Sequence, residues 1–375
     1  MKILITGGCG FIGSKLQKKL YNFKHDVVIM DNLLTQIHGE NALYEDIYNF
    51  KFINGDVTNL DMWTEALDGV EIIVHLAAET GTGQSMYEME RYISTNSIGT
   101  AKLFEGIRAL GNKSKVKRII LSSSRSVYGE GSYRCDFCNR EPIYPNSRKL
   151  QDLENNIWDH ICDNCKKPLS SINTNEEAKI NPASIYAATK LDQEHIIKIS
   201  CEAMDIDYAI LRFQNVYGAG QSLKNPYTGL LTVFTNQINN NNDIHIYEDG
   251  KETRDFVHVN DVTDAIYLCI NEKNKISDIY NVGSGNPTKI EDVAKILVEL
   301  NSSSTKLIYS NKYRFGDIRH NTASLEKIRN KFNFKPKINI SDGLLEFYNW
   351  TKTQTKEVDN YLKTEEELKK NGLMN

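Results

Sequence analysis

Five short runs in the first 125 residues are apolar at nearly every position: KILITG (2–7), DVVIMDN (26–32), KFINGDV (51–57), EIIVHLAA (71–78) and KRIILSSS (117–124). A strand with one wet face alternates apolar and polar residues, so unalternating runs predict strands buried on both faces. Between them lie amphipathic stretches such as Ser14 to Phe23 and Ile93 to Leu110. Strand–helix alternation of this kind predicts an α/β fold: a Rossmann-like, doubly wound parallel sheet covered by helices. The pattern resumes with a helix over Tyr186–Met204 and one strand over residues 207–218, DYAILRFQNVYG.

From residue 219 the texture changes. Short strands (IHIYEDG, DFVHV, IYNVGS) mix with helices over Asn260–Asn271, Lys289–Asn301 and Ser341–Lys352. This predicts a smaller mixed α/β region, from which IYNVGS can still return to the main sheet. Residues 130–183 interrupt the alternation with two CxxC pairs, several prolines and little periodicity, and read as an insertion. The expected division is therefore 1–129 with 184–218 for the main sheet, 130–183 for the insertion, and 219–355 for the smaller region. The polar, Lys/Glu-rich stretch 356–375 is expected to be a surface helix or a frayed tail.

Charge and composition narrow the partners. A net charge of −4 gives no basic patch to suggest nucleic acid. The start, MKILITGG, lacks the basic and apolar regions of a signal peptide. No apolar run approaches the roughly 18–20 residues of a membrane helix. The expectation is a cytoplasmic protein without membrane or nucleic-acid partners. An odd count of seven cysteines in a long chain also argues against a secreted disulfide framework.

Gly7, Gly10 and Gly13 form GxxGxxG directly after the first strand and at the start of a helix. The first allows a tight turn, the second lets backbone approach a pyrophosphate, and the third lets helix pack on strand. The helix N-terminus then presents free N–H groups to the phosphate. Asp31 ends the next strand, where a carboxylate accepts hydrogen bonds from adenine-ribose hydroxyls and repels a 2′-phosphate. That favours NAD over NADP. The plainer role for Asp31 is a strand-end turn former. Asp56 and Val57, ending the third strand, are placed to meet the adenine, with a simple Asx turn as the alternative.

Ser124 closes the fifth strand, and Tyr186 and Lys190 form YxxxK at the start of a helix. Residues four apart share a helical face. A lysine ammonium beside a phenol is expected to lower the tyrosine pKa, making Tyr186 a general base or acid toward a substrate hydroxyl or carbonyl. Ser124 would hydrogen-bond the same oxygen. YxxxK alone recurs by chance in a lysine-rich chain; its weight comes from its position.

TGGCGFIG, Asp31-Asn32, HLAA (75–78), Asn96, SSSRSVYG (122–129), SIYAATK (184–190), NVYG (215–218) and RDFVHV (254–259) fall in order. Together they resemble the extended short-chain dehydrogenases/reductases that modify nucleotide sugars. By this resemblance Phe11, Ile12, Asn32, Leu76, Ala77 and Ala78 would contact NAD, with Asn96 supporting it. Thr80, Arg125 and Asn225 would line the site of a nucleotide-diphosphate sugar; Asn215, Arg254 and Arg314 would contact its diphosphate or nucleotide. For Arg254 the alternative is a salt bridge with Asp255 or a neighbour. A homodimer through helices 93–110 and 186–204 is likewise implied.

The similar 4,6-dehydratases carry an Asp-Glu pair after the residue corresponding to Ser124. Here those positions are Arg125 and Ser126. Dehydration is thereby disfavoured, and 4-epimerisation, which needs only Ser, Tyr, Lys, NAD and room for the keto intermediate to rotate, is expected. The stretches HLAAETGTGQSMY (75–87), NPYTG (225–229) and YRFGDIRH (313–320) further resemble bacterial enzymes that epimerise dTDP-L-rhamnose at C4. A keto-sugar reductase or dehydrogenase is the enzymatic alternative, and a non-catalytic dinucleotide-binding module the remote one.

Cys135-x2-Cys138 and Cys162-x2-Cys165, 23 residues apart, have zinc-ribbon spacing. Two knuckles present four thiolates, a closed tetrahedral site of the structural kind. Metal-free thiols or an iron–sulfur cluster are the alternatives. Zinc would order an insertion too short for its own core.

Overall fold

A computed structural model describes residues 1–40, 42–44, 47–223, 229–301, 304–359 and 361–374. Its main sheet has seven parallel strands in the spatial order Ser277–Val282, Asp207–Phe213, Arg118–Ser124, Ile72–His75, Lys2–Thr6, Asp26–Asp31, Lys51–Asn54. The apolar runs explain the double winding. Ile3 and Ile5 face one core with Ile266 and Leu325, while Leu4 faces the other with Trp63, Leu103 and Ile197. Both faces are dry, so neither alternates.

The chain builds outward from Lys2–Thr6 through two strands, then returns to add Ile72–His75 on the opposite side. Strand order reverses there, and a crevice opens at the carboxyl ends where ligands of such sheets bind.

The expected strand 207–218 is two strands. Asp207–Phe213 belongs to the main sheet, while Asn215–Tyr217 pairs with Thr253–His258 in a second, smaller one. Gln214 makes the change, its N–H bonded to the Val282 carbonyl at 2.9 Å and its side chain buried. The apolar run continues through the switch because both strands are buried, so periodicity does not show it. Helix Leu230–Asn239, absent from the expectation, packs Phe234 and Ile238 into a third core with Phe256, Leu344 and Phe347.

The 93–110 helix is also irregular. Ile93–Ile98 forms a π-helical stretch before the regular helix Gly99–Leu110. Within the insertion, Ser132–Cys135, Arg140–Ile143 and Ser170–Ile172 form a small antiparallel sheet. The polar tail is a helix, Tyr361–Lys370, folded back onto the body with Leu368 and Met374 buried. Among the described residues no helix is long and apolar enough to cross a membrane.

Candidate active site

The glycine turn is fixed by contact. Gly7 has φ +65°, and a Cβ there would lie 2.8 Å from the Ala77 nitrogen. A Cβ on Gly13 would stand 2.4 Å from the Gly8 carbonyl oxygen. At Gly10 a Cβ would meet the Gly7 carbonyl oxygen at 3.2 Å, tight but less severe than at the other two. Gly10 caps helix Phe11–Asn22 without a side-chain bond, and the first-turn N–H groups remain for an anion.

From this turn a cleft of about 400 Å³ runs across the sheet. Phe11, Ile12, Asn32, Val57, Leu76, Ala77 and Ala78 line it, as do Asp31 at one end and Ser124, Tyr186 and Lys190 at the other. The Asp31 carboxylate accepts the N–H groups of Cys9 and Leu33, each at 2.9 Å. It therefore anchors the turn as well as facing the cleft. These residues fit an extended dinucleotide.

Two expected contacts lie behind the wall. Asp56 accepts from the Thr58 N–H at 2.8 Å and from Asn32 at 2.9 Å, the Asx-turn alternative; these bonds hold its carboxyl low against burial. Asn96 is fully buried in the π stretch, accepting from the Glu79 N–H and donating to the Glu79 carbonyl and the Thr189 hydroxyl. It braces the turn carrying Glu79 and Thr80 rather than reaching the cleft.

Ser124 ends its strand and caps the following turn, its oxygen accepting from the Ser126 N–H at 3.2 Å and hydroxyl at 2.9 Å. Tyr186 and Lys190 lie on helix Ile185–Met204, capped by the Ser184 hydroxyl. The expected Lys–Tyr coupling is corrected. Lys190 Nζ donates to the Ser122 carbonyl at 2.8 Å, and burial pushes its pKa down to about 7 against the opposing charge of Glu194. Burial raises the Tyr186 phenol, and what lowers it is the Ser124 hydroxyl and the Arg125 charge. Ser124 and Arg125, not Lys190, favour the phenolate.

A second cavity of about 270 Å³ adjoins the cleft, sharing Asn215 and Gly229 with it. Arg125, Arg254 and Arg314 line this cavity, whereas Thr80 faces the first. Arg125 Nε donates to Asn215 at 3.2 Å; burial, then the charge of Arg254, pushes its pKa down to about 9. Arg254 makes no pair with Asp255. It donates to the carbonyls of Thr253, Ile318 and Arg319, and Asp255 instead accepts from Ser284, Gly285 and Ala323. Arg314 pairs with Asp317 at 3.0 Å and lies over the Tyr247 ring. Glu252, Asp317, Asp359 and Glu365 line the cavity as well, but Arg125 and Arg254 have no carboxylate partner among the described residues, which suits a diphosphate. Asn225 lies outside the described residues.

Of the described residues lining the first cleft, Asp31 and Glu79 are the carboxylates, and Glu79 is ion-paired with Arg91 at 2.7 Å. Arg125 and Ser126 stand where the dehydratase pair was sought. Sequence reasoning missed Tyr247 and Glu252, whose Oε2 has no hydrogen-bond partner among the described residues, and missed the tail, which also lines the second cavity. Their scattered positions leave no motif to read.

In the insertion the sulfurs of Cys135, Cys138, Cys162 and Cys165 lie within 4.8 Å of one another, with Cys135 and Cys165 at 3.4 Å. Four thiolates at about 2.3 Å around one ion need sulfur spacings of about 3.8 Å. The cluster fits a tetrahedral metal.

The sequence pattern of the NAD dependent epimerase/dehydratase family matches residues 3–148 and 163–283. A dTDP-L-rhamnose 4-epimerase of Burkholderia thailandensis is 36% identical over 93% of this chain and 94% of its own. A UDP-glucose 4-epimerase of Thermotoga maritima, solved with UDP-glucose, superposes with a TM-score of 0.76 at 26% identity, covering 94% of this chain and 99% of its own. A UDP-glucuronic acid 4-epimerase of Bacillus cereus, solved with UDP-glucuronic acid and NAD, gives 0.75 at 25% identity with the same coverage. The glycine turn, the cleft beside it and these likenesses agree, and the chain belongs to the NAD dependent epimerase/dehydratase family.

Proposed function

We propose that the protein is an NAD-dependent 4-epimerase of a nucleotide-activated sugar, with dTDP-L-rhamnose or a similar deoxysugar as its substrate. The observation that carries this reading is the junction of the two cavities: Ser124, Tyr186 and Lys190 face the first, three arginines the second, and Asn215 both. NAD in the first cleft would supply the hydride acceptor and later the donor at C4. Tyr186 takes the proton of the C4 hydroxyl and returns one, while Ser124 holds that oxygen. Lys190 tightens the wall through the Ser122 carbonyl, and burial brings its pKa down to about 7. Arg125, Arg254 and Arg314 hold the diphosphate, so the sugar can turn over between the two transfers without leaving. The rhamnose assignment rests on the relative that is 36% identical.

The reading extends to three further features. The four clustered cysteines hold a structural zinc, supported by their spacing. A homodimer forms through the 93–110 and 186–204 helices, which leave Ile93, Ile98 and Ile199 exposed. Cytoplasmic location suits the cysteine cluster, since a reducing compartment keeps thiols free for metal. Tyr186→Phe tests the chemistry: turnover of the nucleotide sugar should fall by about 10²–10⁴ while NAD stays bound, and undiminished turnover would remove Tyr186 from the mechanism.

A further inference from the structure

The polar stretch at the end of the chain occupies an unexpected place. Helix Tyr361–Lys370 and the turn after it lie along the second cavity, and Tyr361, Thr364, Glu365, Leu368 and Leu373 face into it. Their attachments reach both halves of the molecule. The Phe315 N–H donates to the Leu373 carbonyl at 2.9 Å, and Arg314 bridges Met374, so the tail is hydrogen-bonded beside a cavity arginine. Lys312 pairs with Glu365 at 2.6 Å, and the Tyr361 ring stacks on His245 at 5.1 Å with 13° between planes. On the far side Leu368 packs so near Gly83 that a Cβ there would sit 3.1 Å from it. Gly83 belongs to the segment after the fourth sheet strand and itself lines the second cavity.

We infer that residues 361–374 form the outer wall of the substrate pocket and close over the nucleoside diphosphate of the sugar nucleotide, a role that rests on the epimerase reading above. Two physical points support a wall that opens. A ten-residue helix is marginal in water by itself, so this one is held by its docking. Its anchors to the body include the Lys312–Glu365 ion pair, ring contacts of Tyr361 with His245 and Tyr247, a short backbone bridge, and the buried side chains of Leu368 and Met374. A segment so held opens locally at far lower cost than the sheet. The tail brings Tyr361, Leu368 and Leu373 to the cavity that Arg254 and Arg314 also line, while the carboxylates Glu365 and Asp359 are held by Lys312 and Asn242. That lining suits a ligand with an anionic diphosphate and flat or deoxygenated rings.

The test uses the NAD-loaded full-length enzyme, a variant ending at residue 358, and Leu368→Asp, which undocks the tail without removing it. Calorimetry measures binding of dTDP and UDP, and a separate titration measures NAD. Both variants should bind the nucleoside diphosphates about tenfold more weakly with NAD affinity unchanged. In the full-length protein, dTDP or UDP should protect the tail from limited proteolysis. Equal affinity in Leu368→Asp, with its tail shown by proteolysis to be detached, would overturn the inference and leave the epimerase reading intact. Full-length protein that binds neither dTDP nor UDP would overturn both.

Discussion

Lys190 donates to the Ser122 carbonyl oxygen at 2.8 Å, not to the Tyr186 phenol four residues before it on the same helix. Lysine and tyrosine share a face, but strand Arg118–Ser124 lies against that face and its carbonyl takes the ammonium. The group is 2% exposed, and burial brings its pKa to about 7.

A pH dependence follows. Below about pH 7 Lys190 is charged in both folded and unfolded chains, and folding bears the full cost of burying that charge. Between pH 7 and about 10 the folded protein has shed the proton while the unfolded chain keeps it. Stability therefore gains from this group as pH rises through that window. Lys190→Met should melt higher than the parent at pH 6, with the gap shrinking by pH 9, in paired thermal melts of ligand-free protein. A gap independent of pH would mean that the lysine is not buried as a cation.

Asp31 serves both turn and cofactor. Asp31→Ala leaves the Cys9 and Leu33 N–H groups without their acceptor, a loss of about 1–3 kcal/mol in denaturant unfolding. The same variant should lose its preference for NAD over NADP in binding titrations.

At Gly13 a methyl group meets the carbonyl oxygens of Gly8 and Gly7 at 2.4 and 2.6 Å, both backbone atoms of the turn. Gly13→Ala should weaken NAD binding by at least about tenfold. The nucleoside-diphosphate cavity, built from other segments, should keep its affinity for dTDP.

The cysteine cluster should carry about one zinc per chain by metal analysis. Chelation or Cys135→Ser should lower the melting temperature and loosen residues 130–183 to protease, with NAD affinity retained. Purified protein that folds and resists protease without metal would contradict the zinc assignment.

The sheet, the glycine turn and the shared place of Ser124, Tyr186 and Lys190 on one cleft were legible in the sequence because each is local or periodic. Strands dry on both faces are uniformly apolar, and Gly7 and Gly13 sit where backbone contacts exclude a Cβ. What the sequence hid depends on distant packing. The break at Gln214 lies inside a continuous apolar run, and Asn96 is turned inward by a π-helical stretch that leaves no compositional mark. The tail docks through so few buried side chains that its Lys/Glu content masks them. The Arg254–Asp255 salt bridge, the alternative to a substrate contact, does not form: adjacent strand residues point to opposite faces and the two find separate partners.

The most direct measurement is the fate of the C4 hydrogen. dTDP-L-rhamnose deuterated at C4 would be incubated with enzyme and substoichiometric NAD, and the product examined by NMR. The expected product is inverted at C4, retains its deuterium there, and forms without accumulation of reduced cofactor. Retained configuration at C4, or deuterium passing stoichiometrically into the reduced cofactor, would contradict 4-epimerisation.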